Sequence, residues 1–426
     1  MRSLGGAPNS DKPKLLVILG AGSSIPCGMP SVGDIDCQMK DWSRKWKPTT
    51  GLSDDAGTGV FNDLWEIVEG YYRSNHYGIG ANYERVLGEM TALASWLTPS
   101  PFGDALRAAV QDGAPVSAFA WPRDCTEPYF YRKLIMEQQA FLLGKLADYI
   151  RERSKSVNAG SSEFAVYKEL LRRLRDQFDL GIYNLNYDTV ARRAWPEAFS
   201  GFSSNGFFDP LCVSLRKEWE FIYHLHGSVY HCISSPAHRP SLVWKDDLNG
   251  SFVDQQTLAP DMAQQFRPIP LTTLIAGGFK LDQLLADPYQ TFYSALVRHV
   301  HEADAILIAG YGFGDLHVNR VLRNRFERPA NDAALPQVVV LEKSNPTKLQ
   351  TASLQSHDFW AYQLTHTLST KFRTTKEHLD RQLTVAEFIQ RHEFETDLHG
   401  RVAIWHGGFI EALNSLDEIA NRLHCR

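Results

Sequence analysis

The stretch Lys14-Leu-Leu-Val-Ile-Leu-Gly-Ala-Gly-Ser-Ser-Ile-Pro-Cys-Gly-Met-Pro30 decides the fold, because an apolar run stops abruptly at a glycine-rich turn. Consecutive apolar residues are typical of a parallel strand that is buried on both faces. The glycines of Gly20-Ala21-Gly22 permit a turn that is too tight for side chains, and such a turn lets backbone N–H groups approach a phosphate. The stretch therefore predicts a first strand that feeds either a phosphate-binding loop or a plain structural turn.

The glycine pattern departs from the common dinucleotide fingerprint. G-x-G-x-x-G requires a third glycine at position 25, where this chain has Ile25. The sequence instead reads G-A-G-x-S-x-x-x-G-x-P from Gly20 to Pro30, with Ser24 in the serine position. What this turn binds therefore has to be inferred from the rest of the chain.

Composition limits the class of protein. The 426 residues suffice for two or three compact units, and a 43% hydrophobic content supports a large core. A net charge of −5 without a long basic run predicts no direct nucleic-acid binding. The six cysteines form no C-x-x-C pair, so we expect reduced thiols and no metal site. Without a signal peptide or an 18-residue apolar span, we expect a soluble, cytoplasmic protein with no membrane contact.

Strand and helix patterns alternate along the chain. Strand character returns at residues 180–186, 221–226, 303–309 and 338–341, and helical periodicity separates these segments. Such alternation predicts an α/β fold with a doubly wound, mostly parallel sheet. The expected sheet-forming core comprises residues 14–31 and 176–346. Residues 32–175 predict a helical insertion module between the first and second strands, and residues 347–426 predict a mainly helical C-terminal part.

Helix and loop boundaries follow from periodicity and from the turn-forming residues. We predict loops at 47–59 and over much of 98–127, and irregular structure at 232–270. The predicted helices cover residues 32–46, 61–72, 83–97, 130–150, 164–178, 284–301 and 316–325.

Unusual residues follow several predicted strands. Asn186-Tyr-Asp188 follows the second, His226-Gly227 ends the third, Gly310-Tyr311-Gly312 stops the fourth, and Glu342 ends the fifth. Open α/β sheets bind ligands at the carboxyl ends of their strands. The sequence therefore predicts that these residues converge on one crevice.

At these residues the chain resembles the sirtuin family. G-A-G-x-S-x-x-x-G-x-P matches the first family motif, Asn186-x-Asp188 matches N-x-D, and His226-Gly227 matches the catalytic H-G. The segment from Gly310 to Asp315 looks like the G-Y-S-x-x-D variant of prokaryotic sirtuin-like proteins. The resemblance covers residues 14–31, 180–228 and 284–345, and it implies a Rossmann-like sheet that binds NAD.

Departures from the family narrow the expected activity. The four-cysteine zinc module is absent, and Ser31-Val32-Gly33 stands where deacylases have an acidic residue, a phenylalanine and an arginine. The resemblance therefore implies the branch that hydrolyses NAD outright, often as a toxic effector of anti-phage defence. Two alternatives stay open: a protein deacylase or ADP-ribosyltransferase, and a non-catalytic protein that senses NAD or ADP-ribose.

Each candidate residue has a role in cleavage of the nicotinamide–ribose bond, which builds an oxocarbenium-like centre. His226 is the expected base, since histidine titrates near neutral pH. Asn186 is expected to bind the nicotinamide ribose or to position the water. Asp188 either orients the carboxamide, stabilises developing positive charge, or caps the next helix. His224 is expected to support His226 or to face away from it.

The remaining candidates are expected to hold the substrate. The pyrophosphate side would be formed by Gly20, Ala21, Gly22, Ser24 and Pro30, and the adenosine side by Gly310, Tyr311 and Gly312. Glu342 would accept hydrogen bonds from the adenosine ribose, which favours NAD over NADP.

A free NAD hydrolase would kill its own host, so we expect control by assembly. The chain has no G-x-x-x-x-G-K-[ST] loop that would mark a fused ATPase. We therefore expect a homo-oligomer or a separate partner chain. The resemblance implies a HerA-type hexameric ATPase, or alternatively a short Argonaute, as that partner.

Overall fold

The computed structural model describes residues 11–48, 60–74, 80–96, 128–234, 241–257, 270–277, 284, 286–327, 335–344, 359–372 and 390–424. The strands are β1 (Lys14–Leu19), β2 (Asp179–Asn184), β3 (Glu220–His224), β4 (His231–Ser234), β5 (Ser241–Trp244), β6 (Gln255–Thr257), β7 (Pro270–Thr272), β8 (Ala305–Ala309), β9 (Gln337–Leu341), β10 (Glu395–Thr396) and β11 (Val402–Trp405).

Helices surround these strands. They are α1 (Val32–Lys45), α2 (Val60–Ser74), α3 (Tyr83–Trp96), α4 (Pro128–Lys155), α5 (Ser162–Gln177), α6 (Val190–Ala194), α7 (Pro210–Ser214), α8 (Tyr289–Glu302), α9 (Leu316–Phe326), α10 (Phe359–Thr367), α11 (Gly408–Glu411) and α12 (Leu416–His424).

A seven-stranded sheet forms the centre of the fold, in the order β3-β2-β1-β8-β9-β11-β10. All neighbours are parallel except β10, which runs antiparallel to β11. The apolar run of β1 lies in the middle, with β2 on one side and β8 on the other. The strand order reverses between β1 and β8, and in open α/β sheets such a switch point is where ligands bind.

Side chains of β1 alternate between two hydrophobic layers, because successive strand residues point to opposite faces. Leu15, Val17 and Leu19 pack into the layer that also holds helices of the insertion, whereas Leu16 and Ile18 pack into the layer with α8 and α9. All five are fully buried. The structure therefore confirms the doubly wound, mostly parallel α/β fold.

Helices α1 to α5 lie between β1 and β2 in the chain, as the helical insertion predicted. The first of them begins at a capping box, in which Ser31 accepts from the Asp34 N–H and Asp34 accepts from the Ser31 N–H. Helix α5 begins at Ser161, whose hydroxyl accepts from the Phe164 N–H. Residues 49–59 of the loop predicted at 47–59, and the whole of 98–127, lie outside the described residues.

Two parts of the chain differ from the sequence prediction. The segment predicted as irregular contains β4 paired with β5 and β6 paired with β7, both antiparallel. The C-terminal part has the expected helices, but it also adds β10 and β11 to the main sheet. Strands of two to four residues show too little alternation to be recognised from the sequence, and each of these strands pairs with a neighbouring strand.

No helix within the described ranges has both the length and the apolar character needed to span a bilayer.

Candidate active site

Strands β2 and β3 end two residues earlier than the sequence predicted. Asn186 and His226 therefore lie outside the hydrogen-bond ladder of the sheet. Asn184 and His224 form the last register pair of β2 and β3. Asn186 and His226 each lie two residues beyond that pair, on neighbouring parallel strands. Both residues are therefore at the carboxyl end of the sheet, as predicted.

Two glycine turns meet at this end through direct backbone contact. The Gly20 N–H donates to the Ala309 carbonyl, and the Gly22 N–H donates to the Gly310 carbonyl. A Cβ on Gly20 would lie 2.5 Å from the Gly310 oxygen, and a Cβ on Gly310 would lie 2.3 Å from the Ser23 nitrogen. The glycines are therefore required because two loops pack without side chains between them.

This packing corrects one expectation for the first turn. Residues Ala21–Ser23 form a 3₁₀ helix, and the amides of Gly20, Gly22, Ser23 and Ser24 all donate to backbone carbonyls. The turn therefore does not present a row of free N–H groups for a pyrophosphate. Ala21 and Gly22 are nevertheless exposed, so a ligand can still approach this surface.

Asn186 is anchored in the first turn by its amide. Its Nδ2 donates to the Gly20 carbonyl at 3.0 Å and to the hydroxyls of Ser24 at 3.0 Å and Ser23 at 3.3 Å. A carbonyl can only accept, so the Nδ2 side of the amide faces the loop and Oδ1 faces away. Within the described part of the chain no donor reaches Oδ1, which leaves this atom for a ligand or a water.

His226 is paired with an acid that the sequence did not assign. Its Nε2 lies 2.8 Å from Asp315 Oδ2, and both side chains are nearly buried. The Tyr293 hydroxyl lies 3.5 Å from the same nitrogen. An ionised carboxylate only accepts, so Asp315 favours the tautomer with the proton on Nε2. Nδ1 is then the nitrogen that is able to take up a proton.

Asp188 is buried, and its side chain is hydrogen-bonded to other residues of the protein. Its Oδ1 accepts from the Val190 N–H at 2.8 Å, and Ser24 also hydrogen-bonds to it. Burial raises the pKa of Asp188 to about 6, although both hydrogen bonds oppose that shift. The structure thus shows Asp188 supporting α6 and, through Ser24, the amide of Asn186. Direct contact with a substrate stays a prediction.

His224 contacts the loop that carries Asn186. Its Nδ1 lies 3.2 Å from the Asn186 carbonyl oxygen and 3.5 Å from Asn184 Nδ2. Asn184 Oδ1 in turn accepts from the Asn186 N–H. Burial lowers the pKa of His224 to about 4, so this imidazole is neutral at physiological pH. His224 is therefore a neutral support for Asn186.

The other predicted binding residues lie at the same edge of the sheet, and they differ in how far they are exposed to solvent. The Tyr311 hydroxyl lies 3.0 Å from the Asp315 carbonyl oxygen and 2.8 Å from Asn319 Oδ1, so it stabilises the start of α9. Gly312 is exposed, and a Cβ there would meet nothing within 4 Å. Pro30 is buried immediately before α1. Glu342 follows β9 and is half-buried.

Contacts from the insertion reach the loop that carries His226. The Ile275 N–H donates to the His226 carbonyl at 2.8 Å, and the Ile275 carbonyl accepts from the Tyr187 hydroxyl at 2.8 Å. Arg151 of α4 forms a buried ion pair with Asp254 at 2.8 Å, and Asp254 also accepts from Thr273. The helical insertion is therefore connected to the candidate site through contacts of Asp254, Thr273 and Ile275.

Sequence reasoning missed Asp315, Tyr293 and Asn184 as members of the site. Asp315 had a recognisable signal, since it directly precedes a helix and caps it by accepting from the N–H groups of His317 and Val318. Tyr293 had none, because it lies on a helix far from His226 in the chain. Among the described residues, no group of three or more His, Cys, Asp or Glu side chains is arranged to hold a metal ion.

Two comparisons with known proteins find similarities. The SIR2-like domain matches residues 181–366, a range that contains the Asn186 loop, His226 and the turn from Gly310 to Asp315. A solved triple mutant of a Sir2 homologue in complex with 2′-O-acetyl ADP ribose is similar at 12% identity, with a TM-score of 0.34, over 85% of this chain and 96% of that one. No curated protein matches the sequence. Residues 181–366 of this chain are therefore similar to the SIR2-like domain.

Proposed function

We propose that this protein hydrolyses NAD to nicotinamide and ADP-ribose. One observation carries the proposal: an asparagine amide fixed to the glycine turn and a histidine fixed by a carboxylate lie at the ends of adjacent strands. This pairing supplies a positioning group and a base on one side of a crevice.

The exposed backbone at the two glycine turns supports the binding of a dinucleotide. Ala21, Gly22, Gly312 and Gly314 are exposed, and a Cβ on Gly312 or Gly314 would meet nothing within 4 Å. A ligand can therefore approach the backbone closely at the switch point between β1 and β8. Glu342 at the end of β9 would repel a 2′-phosphate, which favours NAD over NADP.

The chemistry follows from these contacts. Water attacks the anomeric carbon of the nicotinamide ribose, and the C–N bond breaks with its electron pair leaving on neutral nicotinamide. Asn186 Oδ1 holds a ribose hydroxyl or the water, and His226 Nδ1 accepts the proton that the water loses. The carboxylate of Asp315 stabilises the resulting imidazolium, and the charge of Asp188 favours the positive ribose.

A nicotinamide-release assay tests this function. We expect the wild type to release nicotinamide from NAD, and we expect Asn186→Ala and His226→Ala to lower turnover by about 10²–10⁴-fold. Exposed Asn414→Ala and His366→Ala are matched controls that should retain wild-type rates. NAD binding without turnover under every condition would instead favour a sensor, and stoichiometric O-acyl-ADP-ribose from an acyl-lysine peptide would favour a deacylase.

We also propose that the protein is an NAD-depleting effector in anti-phage defence, controlled by homo-oligomerisation or by a partner. The resemblance points to a HerA-type ATPase, or to a short Argonaute, as that partner. Light scattering and NAD loss after co-expression with the neighbouring gene product test this regulation. A monomer whose activity ignores each such partner would contradict it.

A further inference from the structure

A second cluster of chemistry-bearing side chains lies at the carboxyl ends of β9 and β11. The Ser344 hydroxyl is 2.8 Å from His406 Nδ1, and His406 Nε2 is 3.0 Å from Glu395 Oε2. Ser344 follows β9, His406 follows β11, and Glu395 belongs to β10. Three separate segments therefore bring a hydroxyl, an imidazole and a carboxylate into one line.

The hydrogen-bond roles in this line are set by chemistry. A charged Glu395 only accepts, so His406 carries its proton on Nε2. His406 Nδ1 then has a lone pair, and the Ser344 hydroxyl must be the donor to it. This is the order of groups that activates a serine, because the imidazole is poised to take the hydroxyl proton and the carboxylate stabilises the imidazolium.

The backbone holds the two reacting groups together. The Ser344 N–H donates to the His406 carbonyl at 3.1 Å, and the Gly408 N–H donates to the Glu342 carbonyl at 2.9 Å. Glu395 and His406 are buried, at 8% and 5% exposure, whereas Ser344 is half-buried. The base and the acid are thus shielded, and the nucleophile lies at the boundary with solvent.

A similar pair elsewhere lacks two of these features. The Ser415 hydroxyl lies 2.6 Å from His392 Nδ1, but Ser415 is fully buried. No carboxylate in the described part of the chain contacts His392. Ser415 and His392 therefore provide an internal control for a serine–histidine contact that is only structural.

We propose that Ser344 is an activated nucleophile that takes acyl groups from small carboxylic esters. Ser344 Oγ bonds to the ester carbonyl carbon, and its proton moves to His406 Nδ1. The alkoxide leaves and takes that proton as an alcohol. Water then attacks the acyl-serine, which releases the carboxylic acid and restores the hydroxyl. Ser344 lies two residues after Glu342, the proposed contact of the adenosine ribose, but the acyl transfer does not depend on NAD cleavage.

A fluorophosphonate probe tests the proposal on the full-length protein, since an activated serine forms an Oγ–P bond with loss of fluoride. We expect labelling of the wild type, with the modified peptide containing Ser344 by mass spectrometry. Ser344→Ala should lose the label, Glu395→Gln should label at least tenfold more slowly, and Ser415→Ala should label like the wild type. Hydrolysis of p-nitrophenyl acetate should follow the same order.

Peptide mapping of the labelled wild type identifies the modified serine directly. This result does not require that any variant folds. An unlabelled wild type, a label on a different serine, or equal labelling of Ser344→Ala would each overturn the proposal.

Discussion

The carboxylate of Asp315 both contacts His226 and caps a helix. Its Oδ2 lies 2.8 Å from His226 Nε2, and its Oδ1 accepts from the first amides of α9. The helix therefore fixes the acid, and the acid fixes the orientation and tautomer of the histidine. This arrangement explains how a histidine at the end of β3 is positioned by a loop from β8, although two strands, β2 and β1, lie between them in the sheet.

Asp315→Asn should separate these two tasks. Asparagine still caps a helix, but it cannot stabilise the imidazolium by charge. We expect kcat for nicotinamide release to fall about 10–100-fold with little change in KM or melting temperature. Asp209→Asn is the matched control, since Asp209 caps α7 at an exposed position. Equal kcat in wild type and Asp315→Asn would show that the acid has no part in turnover.

Gly227→Ala should displace the catalytic loop. Gly227 has φ of +90°, and a Cβ there would lie 2.0 Å from the Thr273 carbonyl oxygen. We expect a loss of about 3 kcal/mol or more in the free energy of unfolding, together with loss of turnover. Gly400→Ala isolates the cost of positive φ alone, since Gly400 has φ of +68° and open space around its Cβ, and we expect about 1–2 kcal/mol. Urea titrations of the two variants provide the comparison, and similar losses would refute the role of the clash.

Arg151→Met should weaken the connection between the insertion and the site. The ion pair with Asp254 is buried, so removal of one partner leaves an uncompensated charge. We expect a loss of about 3–5 kcal/mol, and we expect the double variant Arg151→Met, Asp254→Asn to recover part of it. Arg172→Met, on an exposed helix face, is the control and should change stability little. Additive losses in the double variant would mean that the two residues act independently.

Asp188→Asn should change how stability depends on pH. Burial raises the folded-state pKa of Asp188 to about 6, above its ordinary value of 3.8, so between these two pH values the folded chain holds a proton more tightly than the unfolded chain. The free energy of unfolding of the wild type therefore falls as pH rises from about 4 to about 6, by at most about 3 kcal/mol at about 1.4 kcal/mol per pH unit. The variant lacks this loss, so it should be the more stable protein at pH 7.5 and the less active one. Urea midpoints of both proteins at pH 4.5 and 7.5 measure this change in stability. If the wild type and the variant change equally between the two pH values, the charge of Asp188 is not buried.

The local sequence was sufficient to predict five of the seven strands of the main sheet, namely β1, β2, β3, β8 and β9. The uninterrupted apolar run of β1, the return of strand patterns after helical periods, and the glycine turns predicted the parallel core and the residues at its carboxyl edge. The same residues indicated the sirtuin-like family before any geometry was known. Period and turn chemistry are local properties, so they can be recognised in sequence.

Tertiary structure alone decided which of these residues act together. The pairing of His226 with Asp315, the contact of Asn186 with Gly20, and the link from Arg151 through Asp254 to Thr273 join residues that are 89, 166 and up to 122 positions apart. The glycines allow the two loops to pack against each other, and the C-terminal strands form because β11 pairs with β9 and β10 pairs with β11. Such contacts depend on strand register and on burial, and neither is encoded in the spacing of any single motif.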